Sequence, residues 1–404
     1  MITVLLNHPR RRPHEPRRPQ WALALGGTVA AVVLGGYAQT FSPIGALILM
    51  LAFAMGVTLY HAAFGFTGAY RRFIEDGDLS GISAQFIMLS IAMVLFAPTL
   101  DSGDVFGHGV SGALAPVSVS MAIGAFLFGA GMQTGGGCAS GTLFSVGGGS
   151  TKMLLVLFFF CLGCFLATFH FNWWVSLPSA GTISLRNILG TWQALALQLG
   201  ALALLTSTLW LFGARHRNSL WSRASEEQFR LTWRRLLHGP WPLLLGAAML
   251  ALLNWATLLV AGHPWSVTWA FTLWATKTAV FFGWDPASVS FWSGGFTRRS
   301  LYQPLLADTT SVMNFSIILG AFAAASLAGR FHPQWRMSLR DGVFAVLGGL
   351  MLGYGARLAY GCNIGALFSG IASTSLHGWV WLFAAMAGNV LALRVRRRPG
   401  PTPV

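Results

Sequence analysis

Long stretches of the chain carry no charged side chain. Residues 19–70, 153–185 and 358–393 contain no Asp, Glu, Lys or Arg. Each is longer than the ~20 apolar residues that cross a bilayer. Apolar runs predict spans or partial spans near 21–39, 43–64, 82–98, 115–134, 151–170, 188–213, 241–261, 265–283, 309–328, 340–356 and 377–394. Two apolar, Gly-rich pieces, 138–149 and 362–374, are too short to cross and read as re-entrant or broken helices. Irregular backbone at that depth is tolerated only where protein or a water-filled cavity covers it. Glycines at 135–137 and 147–149 supply the backbone freedom such breaks need. A transmembrane barrel would instead show ~10-residue segments of alternating polarity. The expected fold class is all-α, a polytopic integral membrane protein.

Composition agrees with that pattern. The chain is 54% hydrophobic and 9% charged, against about 25% charged in a soluble domain. Its net charge of +15 invites a nucleic-acid reading, but the distribution argues against one. Arg10, Arg11, Arg12, Arg17 and Arg18 precede the first span; Arg215, Arg217, Arg223, Arg230, Arg234 and Arg235 fill a central linker; Arg394, Arg396, Arg397 and Arg398 end the last span. Basic clusters flanking spans are topology signals, and they place leader, linker and tail in the cytoplasm. No small-residue cleavage site follows a short apolar core, so no secretory signal is expected at the N-terminus. The expected organisation is a basic, Pro-rich leader (1–20), a first half (21–187), a linking helix and basic linker (188–240), a second half (241–394) and a basic tail (395–404). Eleven segments is an odd count. With both ends on one side, one segment must fail to cross, and the relative orientation of the halves stays open.

The division into halves rests on a motif that occurs twice, 224 residues apart. Aligned without gaps from Gly124 and Gly348, nine of 22 positions are identical. Both copies contain a Gly-x-x-x-x-x-Gly-Cys-x-x-Gly frame, with Gly137-Cys138 in one and Gly361-Cys362-Asn363 in the other. Transporters built from repeats place their substrates at such helix breaks. A single buried cysteine is ordinarily packing, but two at equivalent positions point to function: a small, polarizable thiol can meet a soft anion. Cys161 and Cys164 lie in the uninterrupted apolar run 153–171 and read as helix packing, the alternative being an accessory sulfur site that lines the path. The four cysteines form no metal constellation and no disulfide framework, so neither a metal nor a cofactor is expected.

Charge at depth is the second signal. Arg357, the repeat equivalent of Gln133, is the only charged residue between Asp341 and Arg394. Intramembrane charges usually face a cavity or a partner. The two lysines, Lys152 and Lys277, adjoin or enter apolar segments, where snorkelling to the interface competes with a role in the path. Arg71, Arg72, Arg298 and Arg299 read as membrane-edge residues that draw anions toward a vestibule. All eleven acidic residues fall outside the apolar interiors. Deep cations without deep anions favour an anionic solute. Asp308 reads as a helix cap, or as part of a helix start that faces the cavity.

The stretches Gln133-Thr-Gly-Gly-Gly-Cys138-Ala-Ser-Gly-Thr-Leu-Phe and Tyr360-Gly-Cys362-Asn-Ile-Gly-Ala-Leu-Phe-Ser-Gly resemble the YeeE/YedE family of sulfur-compound transporters. Thr67-Gly-Ala-Tyr-Arg-Arg72 and the regions Pro264–Thr268 and Asp308–Asn314 are also similar, so the resemblance covers most of residues 40–394. It implies two pseudo-symmetric repeats with broken or re-entrant helices meeting at a central constriction, an hourglass in the bacterial inner membrane. It also implies thiosulfate import by transient S–H contacts, a role that carries over to Cys138 and Cys362. Family members often carry a third cysteine before the first Gly-Ala-aromatic-Arg stretch. Here that neighbourhood is Phe64-Gly65-Phe66-Thr67, which puts a three-thiol path in doubt and leaves other sulfur or selenium species open. The candidate permeation residues are Cys138, Cys362, Gly137, Gly361, Gln133, Arg357, Asn363 and Lys277. Expected partners are a small sulfur-containing anion, the lipid bilayer and, beyond them, a cytoplasmic sulfur-carrier protein; nucleic acid is not one. The rival reading is a membrane-embedded sulfur-transfer enzyme with a cysteine persulfide carrier. The sequence offers no electropositive site to stabilise the thiolate such chemistry needs.

Overall fold

The computed structural model describes residues 18–212, 232–333 and 335–397. The leader arginines before Arg18, the linker residues Arg215, Arg217, Arg223 and Arg230, and the tail from Arg398 lie outside the described residues. The first half contains α1 (Trp21–Gln39), α2 (Gly45–His61), α3 (Phe66–Asp76), α4 (Ser80–Ser102), α5 (Val119–Gly135), α6 (Ala139–Gly147) and α7 (Thr151–Val175). Short α8 (Leu185–Leu189) and long α9 (Thr191–Phe212) follow, then α10 (Trp233–His238). The second half contains α11 (Leu243–Ala261), α12 (Thr268–Phe281), α13 (Gly295–Tyr302), α14 (Thr309–Leu327) and α15 (Leu339–Leu358). It ends with a π-helical turn (Asn363–Phe368), α16 (Ser369–Ala372) and α17 (Leu376–Arg397). Two small antiparallel β pairs, 104–105 with 108–109 and 116–118 with 179–182, decorate one face.

Caps mark where the apolar runs start and stop. Ser118, Ser150, Asp308 and Ser338 accept backbone N–H bonds at the starts of α5, α7, α14 and α15. Each pairs a donor that the first helical turn otherwise leaves free. Left-handed glycines close α3, α4, α5 and α11 at Gly77, Gly103, Gly136 and Gly262.

Contacts between helix ends define two faces. The Gln20 N–H, just before α1, donates to Ser326 O at the end of α14 (2.8 Å), and His238 of α10 meets Leu327 O and the Trp21 ring. The Trp241 N–H, before α11, donates to His61 O at the end of α2. The starts of α1 and α11 and the ends of α2 and α14 therefore share a face, here the basic face. The hairpin face carries the β pairs and Gly262, whose carbonyl accepts the Ser111 N–H.

Among the described residues, nine helical segments are long and apolar enough to cross a membrane. The α5–α6 unit makes a tenth crossing. It starts on the hairpin face, where the Val119 N–H donates to Pro178 O, and its far end lies near Tyr60, Phe331 and Pro333 on the basic face. The segment 265–283, expected as a span or partial span, does not cross. Residues 263–267 are irregular, and α12 has 14 residues, about 21 Å at 1.5 Å per residue against a ~30 Å core. It runs parallel to α7: Phe271 meets Phe160 at 4.8 Å and Trp284 meets Phe165 at 5.0 Å. It thus returns to the hairpin face that α11 had reached. An even number of crossings follows among the described residues, which puts the start of α1 and the end of α17 on one side.

Glycines set the closest helix crossings. In lipid, helix association depends on packing and polar contacts rather than on hydrophobicity, and small residues let backbones approach. Helices α5 and α15 run antiparallel, with Gly124 against Gly355 and Leu358, and Gly135 against Gly348. A Cβ on Gly348 would lie 2.2 Å from the Gly135 nitrogen, and one on Gly355 2.6 Å from Gly124 O. Helix α15 also runs parallel to α7, where Gly353 abuts Phe160 O and Cys164 N. Gly348→Leu and Gly355→Leu are therefore expected to abolish the monodisperse peak in size-exclusion chromatography of detergent extracts. Gly36→Leu should elute like the parent, because a Cβ there meets nothing within 4 Å. Identical profiles for all three variants would show that the crossing is not limited by backbone contact.

Candidate permeation site

The two cysteine turns meet in the interior. Cys138 is the N-cap of α6 and Cys362 the N-cap of the π-helical turn; both are 1% exposed. Each sulfur accepts a backbone N–H, from Gly141 at 3.3 Å and from Ile364 at 3.4 Å. Ser140 Oγ lies 3.6 Å from the Cys138 sulfur. A sulfur that caps a helix end keeps its own S–H for another partner. The two thiols are close enough to interact electrostatically, and Tyr70 of α3 faces both Cys138 and Asn363.

Side-chain amides hold the irregular backbone around the thiols. Gln133 Nε2 donates to Thr67 O (3.1 Å) and to Asn389 Oδ1 (2.7 Å), while its Oε1 accepts from Arg71 Nε (3.0 Å). Asn254 accepts the Trp265 N–H and donates to Ser369 Oγ, which in turn donates to Trp265 O. Asn314 donates to Val267 O. These bonds pin the start of α3 to α5, and the loop before α12 to α11, α14 and α16.

The glycines divide in role. The first turn is left-handed at Gly136 (φ 90°), not at Gly137. Gly137 is instead constrained by space, since a Cβ there would sit 3.2 Å from both Met153 Sδ and Thr142 Oγ1. At the second turn Gly361 has φ 154°, and a Cβ would lie 2.8 Å from Ala366 N. Tyr360 before it is left-handed at φ 55°, a conformation uncommon for a bulky residue.

Arg357 lies at a cavity of about 400 Å³ on the hairpin-face side, lined also by Trp269, Asp308, Thr310 and Tyr360. Its guanidinium sits 5.4–5.8 Å from the ring centres of Phe291, Phe171 and Trp269. Its Nε is buried without a hydrogen-bond partner. An arginine at bilayer depth costs roughly 2.5–3.5 kcal/mol on insertion scales. Three desolvated cation–π contacts at about 0.5–2 kcal/mol each are of the same size, so the aromatic box can hold the charge without a carboxylate. Asp308 caps α14 through the Ser311 N–H (2.7 Å) and also lines the cavity, so the two readings of this residue coexist.

Of the remaining candidates, Lys277 is not brought to the cysteines. Its Nζ donates to Leu301 O (2.5 Å) and Gln303 O (2.6 Å), tying down the α13 end. Lys152 pairs with Asp341 at 2.8 Å. Sequence reasoning missed Tyr70, although it lies inside the Thr67–Arg72 stretch. It read Cys164 as helix packing, with an accessory sulfur site lining the path as the alternative. Cys164 is fully buried, but it interacts electrostatically with both Arg357 and Cys362. Only the crossing of α7 on α15 shows this, because no sequence spacing links residues 164 and 362.

Comparison with known proteins gives a consistent result. Over 363 residues the chain is 25% identical to the thiosulfate transporter TsuA of Spirochaeta thermophila, covering 84% of this chain and 96% of that protein. It is 31% identical over 175 residues to the probable transporter YedE of Escherichia coli, 43% of this chain and 42% of YedE. It is 23% identical over 273 residues to TsuA of Escherichia coli, 66% of this chain and 71% of the relative. The family described as sulphur transport matches residues 61–391, a stretch that takes in both cysteine turns. The chain therefore belongs to the sulphur-transport family, known also as YeeE/YedE.

Proposed function

We propose that this membrane transporter imports thiosulfate or a closely related sulfur anion across the bacterial inner membrane, passing it between Cys138 and Cys362. The observation that carries the reading is the meeting of two wholly buried thiols, each capping a helix with its sulfur and leaving its S–H to donate. The names of the relatives favour thiosulfate. A selenium analogue would present a similarly soft terminal atom. Family membership makes the chain a transporter rather than a sulfur-transfer enzyme.

The two halves act as inverted repeats in this reading. Exchanging α5 with α15, α7 with α17, α2 with α11 and α4 with α14 maps the packing onto itself: α5–α17 becomes α15–α7, and α2–α14 becomes α11–α4. The antiparallel α5–α15 pair then lies on the pseudo-axis. The basic leader, linker and tail place the basic face in the cytoplasm. The Arg357 cavity then opens outward as the entry vestibule. The basic face is where a cytoplasmic sulfur-carrier protein would receive the ion.

Uptake of labelled thiosulfate into proteoliposomes tests the reading. Cys138→Ser and Cys362→Ser should each cut uptake strongly while the protein stays folded in the membrane. Cys161→Ser, away from the turns, should have little effect. Normal uptake by both single variants at the turns would remove the thiols from the path.

Arg357 supplies charge at entry, where a dianion leaving water must have its hydration replaced. Arg357→Gln should raise the half-saturation concentration roughly tenfold, the loss of one charge-assisted contact. Arg357→Lys should keep part of the function, because the charge remains while the planar fork is lost. Parent-like kinetics for the Gln variant would show that the guanidinium serves packing alone.

A further inference from the structure

One polar side chain at the thiols differs from its neighbours. Asn363 is 0% exposed, and neither its amide nitrogen nor its amide oxygen has a hydrogen-bond partner. Buried polar groups are nearly always paired, and the surrounding amides follow that rule. Gln133, Asn254 and Asn389 each use both ends of the side chain or hold backbone with it. Asn363 holds nothing, yet it directly follows Cys362 and faces Tyr70, which itself faces Cys138. A wholly buried amide with no hydrogen bond of normal length, next in sequence to Cys362 and with the Tyr70 phenol as its polar neighbour, is a group awaiting a ligand.

We infer that Asn363 is the subsite for the oxygen end of the permeating ion. Its NH2 group donates to the oxygens of a thiosulfonate-type anion while a cysteine S–H meets the terminal sulfur. The Tyr70 phenol faces the same amide and stands as a second neutral donor to the oxygens of the ion. The inference rests on the transport reading above and adds a selectivity rule. The constriction recognises an ion with two unlike ends, one soft and one an oxyanion. Sulfate has the same charge but presents oxygen at both ends. Its second end would meet only a thiol, a weak donor that repays lost hydration poorly.

The test uses the full chain in proteoliposomes with labelled thiosulfate, with unlabelled sulfate as competitor, and thermal unfolding in detergent as a second readout. Asn363→Leu is nearly isosteric and removes the unpaired amide. Its uptake at low thiosulfate should fall roughly tenfold or more, the scale of one hydrogen bond to an ion. Its melting temperature should stay the same or rise, because no internal bond is lost. Asn363→Asp, which sets a carboxylate against a dianion, should fall further. Uptake by Asn363→Leu indistinguishable from the parent would overturn the subsite, as would lost uptake together with a lowered melting temperature, the mark of a structural amide. No thiosulfate uptake by the parent would instead overturn the transport reading itself.

Discussion

Backbone N–H and C=O groups cannot be left bare inside a bilayer, and the rest of this structure depends on how that constraint is met. The chain breaks its helices on both sides of the centre, around 62–66, 136–138, 262–267 and 359–362. Each break frees polar groups in a region without bulk water. An unpaired buried group costs about 1–3 kcal/mol, so several at once would be comparable to a domain's whole stability. The breaks are repaired from other elements. Gln133 holds Thr67 O, Asn254 and Ser369 hold Trp265, and Asn314 holds Val267 O. The thiols of Cys138 and Cys362 take part in the same repair by capping the helices that follow them. The two thiols proposed to touch the ion thus also make the breaks possible.

The two halves handle their cations differently. At Gln133 the first half has an amide, which receives the guanidinium of Arg71 from α3 and anchors the re-entrant loop in the same stroke. At the equivalent position the second half has Arg357 itself, held by three aromatic rings and with no carboxylate partner among the described contacts. An arginine neutralised by a carboxylate would attract an anion weakly. One held by ring faces keeps its charge available.

Much of this fold is legible in the sequence, because transmembrane helices announce themselves by length and apolarity. The long spans, the cysteine turns and the cap at Asp308 follow from local pattern. The 265–283 segment shows where local pattern stops. It is long and largely apolar, and length and composition alone do not distinguish a segment that crosses from one that dips and returns. The distinction lies in the Gly262–Val267 break and in the parallel packing of α12 on α7. The site divides in the same way. Cys138 and Cys362 are legible through repetition. Tyr70 and Cys164 are not, because each is brought in by a helix crossing. Gly137 was legible as a needed glycine, but for space rather than for a left-handed conformation, which falls one residue earlier at Gly136.

Conduction needs a site attractive enough to enter and weak enough to leave. In the proposed path the full charges stay away from the middle. Arg357 lies in the outer cavity, and Arg71 lies toward the basic face, already committed to Gln133. Between them stand neutral groups: two thiols, one amide and one phenol. A lysine or arginine at the Cys362 level would bind a dianion tightly and hold it, since opposite charges at low dielectric attract strongly. Thiols and an amide offer several weak donors instead, so the ion can exchange one for the next without a deep well. The absence of acidic residues from the apolar interiors serves the same end from the other side, because a carboxylate near the thiols would raise the barrier it had to cross. A flat profile of this kind requires no coupled ion bound at depth. It is the physical reason that a path of neutral sulfur contacts suits a soft anion better than a row of charges would.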